Sequence, residues 1–183
     1  PVMRRRDEWF KELAGVVDEI HKIPKDFDFG KLGCNEQFVS ATIEATRLAT
    51  STPHHEKRRL LRNVLVKIGT SCNLDEDLQF VYLRLIDDLT PTHIKILDFF
   101  WRGNSKIVKM NNGVMPPSNK HQECVYALLP ELQGKAHFLD QMIQDLRSHG
   151  LCTAQGITSG MVTNVLTNHG CGFLGFILDT ENQ

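Results

Sequence analysis

Several basic side chains in one stretch have the spacing for anion chemistry. In "STPHHEKRRLLRNVLVKIG", His55, Arg58, Arg59 and Arg62 fall at i, i+3, i+4 and i+7, with Lys57 beside them. On a helix those positions share a face. Such a face takes an anion or an acidic partner, helped by the unpaired N–H groups of the helix N-terminus near His54. The same residues equally suit a solvated face paired with Asp75, Glu76 or Asp77. Arg4, Arg5 and Arg6 either extend the patch or belong to a frayed tail. A second set lies in "KAHFLDQMIQDLRSHGL". There Lys135, Gln141, Gln144, Arg147 and Ser148 lie on the polar side, and amides and hydroxyls of this kind suit base edges or peptide groups.

Other constellations are weaker. Gly170, Gly172 and Gly175 spell Gly-x-Gly-x-x-Gly, the letters of a dinucleotide loop. That loop needs a βαβ unit of ~30 residues around it, and the sequence ends at Gln183. There is no His-Glu-x-x-His, no Glu-x-x-His and no Gly-x-Ser-x-Gly, so zincin, di-iron and hydrolase readings lack their motifs. His54 and His55 are adjacent, about 100° apart on a helix, which is poor geometry for one metal. His93 reads as a half-buried packing residue. The expectation is a protein that is not an enzyme, with no cofactor and no metal.

The elements that must position these residues are mostly helices. "RRDEWFKELAGVVDEIHKI" places Trp9, Leu13, Val16, Val17 and Ile20 inward. "NEQFVSATIEATRLAT" is a second helix capped by Asn35. In the third, Thr52 is the expected N-cap, Pro53 the first helical residue and Gly69 the stop, with Leu61, Val64, Leu65 and Ile68 inward. "NLDEDLQFVYLRLIDDL" carries acids in its first turn and turns Leu78, Val81, Tyr82, Leu85, Ile86 and Leu89 inward. "LTPTHIKILDFFW" starts at Pro91 behind Thr90, with Ile94, Leu97, Phe100 and Trp101 on one face. Residues 102–119 read as a long loop, and 125–133 as a short helix broken near Pro130. In the helix ending at Gly150, Phe138, Leu139, Met142, Ile143 and Leu146 point inward. "CTAQGITSGMVTNVLT" is rich in Thr, Gly and Val and predicts a β-hairpin over 153–166. Thr167 then caps a last helix whose face holds Gly170, Phe173, Leu174 and Ile177, Gly170 allowing a close backbone approach.

"LTPTHIKIL", "MIQDLRSHGLC" and "LTNHG" together resemble the first helix, the end of the recognition helix and the wing exit of winged-helix transcription regulators of the multiple-antibiotic-resistance regulator type. The likeness covers about residues 89–178. Together with the helices read above, it gives a mainly α fold: a helical region over 1–88 packed on a winged-helix-like module with a small β-hairpin over 89–183. The resemblance implies either a DNA-binding regulator acting as a homodimer or a protein-interaction module, since winged helices serve as both, and the whole chain has the look of a bacterial protein.

Charge argues against the DNA half of that implication. The net charge is -1. Residues 90–183 hold seven Lys and Arg against seven Asp and Glu, and 152–167 hold no cation. A reader is positioned on a duplex by phosphate contacts, so this composition favours protein contacts over DNA. The expected function is non-enzymatic interaction with a protein partner, with DNA binding as a dimer as the alternative. Five scattered cysteines, Cys34, Cys72, Cys124, Cys152 and Cys171, without a Cys-x-x-Cys pair, suggest a reducing cytoplasm. "PVMRRRDEWF" has no apolar run behind its arginines to make a signal peptide, and no stretch reaches the ~20 apolar residues of a membrane span.

Overall fold

Two helices begin by the same device, a side-chain oxygen on an orphan N–H group. Asn35 Oδ1 accepts from Phe38 N at 3.2 Å, and Asp75 Oδ1 accepts from Asp77 N at 3.0 Å. The computed structural model describes residues 2–22, 33, 35–70, 75–110, 125–126, 129–154 and 165–178. Among them the helices are α1 (Val2–His21), α2 (Glu36–Ser51), α3 (His55–Thr70), α4 (Glu76–Asp88), α5 (Pro91–Met110), α6 (Ala136–Ser148) and α7 (Asn168–Ile177), with a 3-10 turn at Pro130–Leu132. The chain divides into one unit of Pro1–Pro91 with Gly175–Gln183 and another of Thr92–Leu174.

The first unit is built around α3. Trp9, Val16 and Ile20 of α1, Ala41, Ala45 and Leu48 of α2, Leu61, Val64 and Leu65 of α3, and Tyr82 and Ile86 of α4 are buried. Helix directions follow from side-chain partners. Arg58 meets Glu8 and Arg62 meets Glu19, so α1 and α3 run the same way. Trp9 Nε1 donates to Thr46 Oγ1 at 3.0 Å and Arg5 to the Ser51 carbonyl at 3.0 Å, so α2 runs opposite to α1. Lys57, at the start of α3, reaches the Asp87 carbonyl at the end of α4. Helices α2 and α4 therefore run side by side in one direction.

Two boundaries differ from the expected ones. Thr52 sits between the two helices. It closes α2, donating its N–H to the Leu48 carbonyl at 3.0 Å, while its Oγ1 accepts from His54 N at 3.3 Å just ahead of α3, which starts at His55. Pro53 has no N–H to continue a ladder, so it separates two helices rather than beginning the second. Gly69 lies inside α3, not beyond it. A Cβ there would sit 2.5 Å from Ile20 Cδ1 and 3.2 Å from Phe38 Cε2, so this glycine is where α1 and α2 close on α3.

In the second unit, α5 runs on through Met110, into the segment expected to be a loop; 111–119 lie outside the described residues. A single helical glycine costs only about 1 kcal/mol against alanine, too little for Gly103 to end a nucleated helix. Helix α6 ends in a Schellman motif. Gly150 takes φ 71°, its N–H donates to the Arg147 carbonyl at 2.9 Å, and Leu151 N donates to the Leu146 carbonyl at 3.0 Å. Leu146 and Leu151 are both buried.

The course of the chain after Gly150 corrects the expected β-hairpin, and with it the small sheet of a winged-helix-like module. Among the described residues there is no strand, only one antiparallel bridge between Cys152 and Leu166. Thr153 N donates to the Val165 carbonyl at 2.8 Å, and Thr167 N to the Leu151 carbonyl at 3.2 Å. Residues 155–164, which hold the rest of the expected hairpin, lie outside the described residues. The physical reason lies in the groups beside the bridge. Leu151 N donates to the Leu146 carbonyl and the Gly150 carbonyl accepts from Thr167 Oγ1, so these groups tie two helix ends together instead of starting a ladder. The fold is mainly α, as expected.

The start of α7 also matches expectation. Thr167 Oγ1 accepts from Gly170 N at 3.0 Å and donates to the Gly150 carbonyl at 2.6 Å. A Cβ on Gly170 would sit 2.1 Å from the Leu151 carbonyl oxygen. Backbone cannot step aside as the tip of Ile20 can. Gly170→Ala should therefore lower stability by about 2–4 kcal/mol, and Gly69→Ala by about 1–2 kcal/mol, in urea unfolding followed by circular dichroism. Equal losses would show that both sites yield alike.

Candidate functional site

The basic face of α3 is mostly turned into the fold. Lys57 and Arg58 are buried, at 8% and 5% exposure. Lys57 Nζ donates to the Asp87 carbonyl at 2.7 Å. Burial pushes its amine below the usual 10.5, partly opposed by the charges of Asp87 and Asp88. Arg58 Nη2 donates to Glu8 Oε2 at 3.2 Å, while its Nε faces Glu12 Oε1 at 3.8 Å and is left buried without a hydrogen-bond acceptor. Arg62, half-buried, pairs with Glu19. Arg59 and His55 are exposed.

The partners of these cations come from α1. Glu8, Glu12 and Glu19 stand at i, i+4 and i+11, within about 40° of each other on a helix. That spacing is present in the sequence, and it gives Arg58 two glutamates, Glu8 and Glu12, and Arg62 one, Glu19. The acids at 75–77 are the nearer choice along the chain. Further along α3, Asn63 Nδ2 donates to the Ile177 carbonyl at 3.2 Å. Lys67 Nζ donates to the carbonyls of Gly175, at 2.5 Å, and Leu178. Gly175 and Ile177 lie in the last turn of α7 and Leu178 just past it, where a helix carries partial negative charge and a lysine is favoured. Tyr82 packs on Phe176 of the same segment, ring centroids 5.2 Å apart.

The polar face of α6 is open. Lys135, Gln141, Gln144, Arg147 and Ser148 are all exposed. Two of them are already oriented. Gln141 Nε2 donates to Asp145 Oδ1 at 2.8 Å, and Ser148 Oγ donates to the Asp145 carbonyl at 2.8 Å. The other carboxylate oxygen of Asp145 lies 3.4 Å from Nε2 of His93, which is 4% exposed. Phe138, expected inward, is 46% exposed at the edge of this face.

Among the described residues no three His, Cys, Asp or Glu side chains are grouped to hold a metal. No described helix is long and apolar enough to cross a membrane. Burial pushes the Cys152 thiol up, the opposite of what a thiolate nucleophile needs. No protein-family model, no curated protein and no solved structure matches the chain.

The α1–α3 contact can be tested in two ways. Arg58→Ala leaves Glu8 and Glu12 facing each other beside the core and should destabilise the first unit by about 2–3 kcal/mol, less than a fully buried pair because both glutamates keep water. In a Trp101→Phe background, the emission of buried Trp9 should shift red as α1 loosens; an unchanged spectrum and stability would mean that Arg58 is dispensable. The second test uses acid. The hydrogen bond from Arg4, then the charges of Arg4, Arg58 and His55, hold the Glu8 carboxyl below 4.5; the hydrogen bond and charge of Arg47 do the same for Glu44. A depressed carboxyl stabilises the fold above its unfolded value and loses that contribution as pH falls through its folded value. The urea midpoint should hold from about pH 7 to pH 5 and fall below, and Glu8→Gln/Glu44→Gln should flatten that fall. An unaltered slope in the double variant would assign the acid loss to other groups.

Proposed function

We propose that this chain is a non-enzymatic interaction protein that presents the outer face of α6 to a protein partner. The observation that carries the reading is the internal use of the cations of α3. Lys57 binds the end of α4, and Arg58 and Arg62 bind glutamates of α1, so they are not available to line up phosphates. A duplex reader needs several such cations for affinity at physiological salt. The face of α6 supplies different chemistry. Its exposed aromatic Phe138 and its arginine Arg147 are of the types favoured at the centre of protein interfaces, and the two amides and the hydroxyl around them add hydrogen-bonding groups without charge.

The DNA-reading dimer is the alternative that the test must separate. Generic duplex DNA should bind with a Kd weaker than ~10⁻⁶ M at physiological salt, the non-specific range, by fluorescence anisotropy. A photo-crosslinking residue at Gln144 should give a protein adduct of defined mass in cells, and Phe138→Asp should remove it. Nanomolar binding to a palindromic duplex that requires Gln141 or Gln144 would overturn the proposal in favour of DNA.

A further inference from the structure

The outward face of α2 has a pattern that the packing of the first unit does not use. Glu36, Ser40, Ile43 and Arg47 stand at i, i+4, i+7 and i+11, within about 60° on the helix. Ile43 is 67% exposed and Val39 beside it 39%. An isoleucine so exposed at mid-helix gains nothing from its own fold. The apolar surface extends onto α4. Arg47 and Asp87 approach to 3.9 Å, which sets α2 and α4 level at that point. Because the two helices run the same way, Phe80, two turns before Asp87, comes level with Ser40. Phe80 and Val81 are 37% and 46% exposed.

The surface is also shaped. Beside Ser40 opens a cleft of about 300 Å³ lined by Gly33, Glu36, Val39 and Ser40. One turn along the same helix stands the projecting Ile43. Knob and recess therefore lie on one stripe, with opposite charges at its two ends.

We infer that this stripe is the interface with a second copy of the chain. A two-fold axis through the helix surface midway between Ser40 and Ile43 makes the pattern complementary to itself. Glu36 then faces Arg47 of the second copy, and Ile43 enters the recess at Ser40 of the second copy, twice over. An isologous contact needs this kind of self-matching surface. Parallel copies would instead set like charges together. The Arg47 guanidinium is fixed in place within its own chain, Glu44 accepting from its Nε and Nη2 at 2.9 and 2.7 Å and Asp87 lying 3.9 Å away, but unlike Arg58 its side chain stays 60% exposed and open to a further carboxylate. Ile43 with Val39 beside it, and Phe80 and Val81 on α4, make a small interface, which fits a weak, reversible dimer. The inference does not rest on the use of α6.

Sedimentation equilibrium of the full chain over a wide concentration range tests it. The expected result is a monomer–dimer equilibrium. Ile43→Asp should weaken it by about tenfold or more while circular dichroism and thermal unfolding stay unchanged, because the side chain is exposed. Glu36→Arg alone and Arg47→Glu alone should each weaken self-association, since each sets like charges across the axis. Mixing those two variants should restore a dimer, because both cross-axis pairs become opposite again. A protein that stays monomeric at millimolar concentration, a dimer indifferent to Ile43→Asp, or a mixture no tighter than its components would each overturn the inference. Shielding of Ile43 only by an added, different protein would overturn it too.

Discussion

A guanidinium cannot shed its proton inside a protein, so the burial of Arg58 has to be answered by carboxylates. That requirement fixes how α1 lies along α3. Once Glu8 and Glu12 are drawn to Arg58, Glu19 comes to Arg62 and Ile20 comes over Gly69. Trp9, one residue past Glu8, turns the other way into the core and finds Thr46. A slide by one turn would strand a buried charge and drive Ile20 off the glycine. The pairing is incomplete, since Nε of Arg58 has no acceptor. Its role is therefore better described as setting register than as adding stability, because a paired buried charge seldom outperforms a well-packed apolar side chain.

The same helix closes two others. Each α-helix leaves its last carbonyls without intrahelical donors. Lys57 supplies one donor to the end of α4, and Asn63 and Lys67 supply theirs to the end of α7. Lysine suits this role because its stem packs along apolar neighbours while the ammonium reaches out to the carbonyls. Basic residues that look in sequence like a surface for outside anions are thus satisfied by helix ends and by α1.

Legibility in the sequence follows range. Local devices are readable: the caps at Asn35 and Thr167, the glycine stop at Gly150, the close approach at Gly170, and the inward row Leu61, Val64, Leu65 and Ile68. Errors occur where two apolar residues adjoin. Val17, Val81, Trp101 and Phe138 each neighbour another apolar residue, and about 100° of helical turn lets only one of each pair face fully inward. The expected hairpin fails for a related reason. Threonine and valine favour strands, yet beside the Cys152–Leu166 bridge the Gly150 carbonyl and the Leu151 N–H serve helix ends rather than a ladder. Which acids meet Arg58 and Arg62 depends on helices distant in sequence, and nearness along the chain points to the wrong ones. The exposed residues of α6 and the projecting Ile43 are legible only as polar or apolar letters; their accessibility belongs to the fold.

The clasp of Asn63 and Lys67 on the end of α7 has a bearing on how the protein is made. Residues 92–174 form a unit of their own, and only then does the chain supply Gly175 to Leu178 for α3 to hold. During synthesis α1 to α4 leave the ribosome well before that segment. Until it arrives, Tyr82 lacks the ring of Phe176, and Lys67 has neither of the carbonyls it will bind. The first unit is thus begun early and completed late, and a nascent chain stalled inside the second unit would carry an unfilled place beside Tyr82.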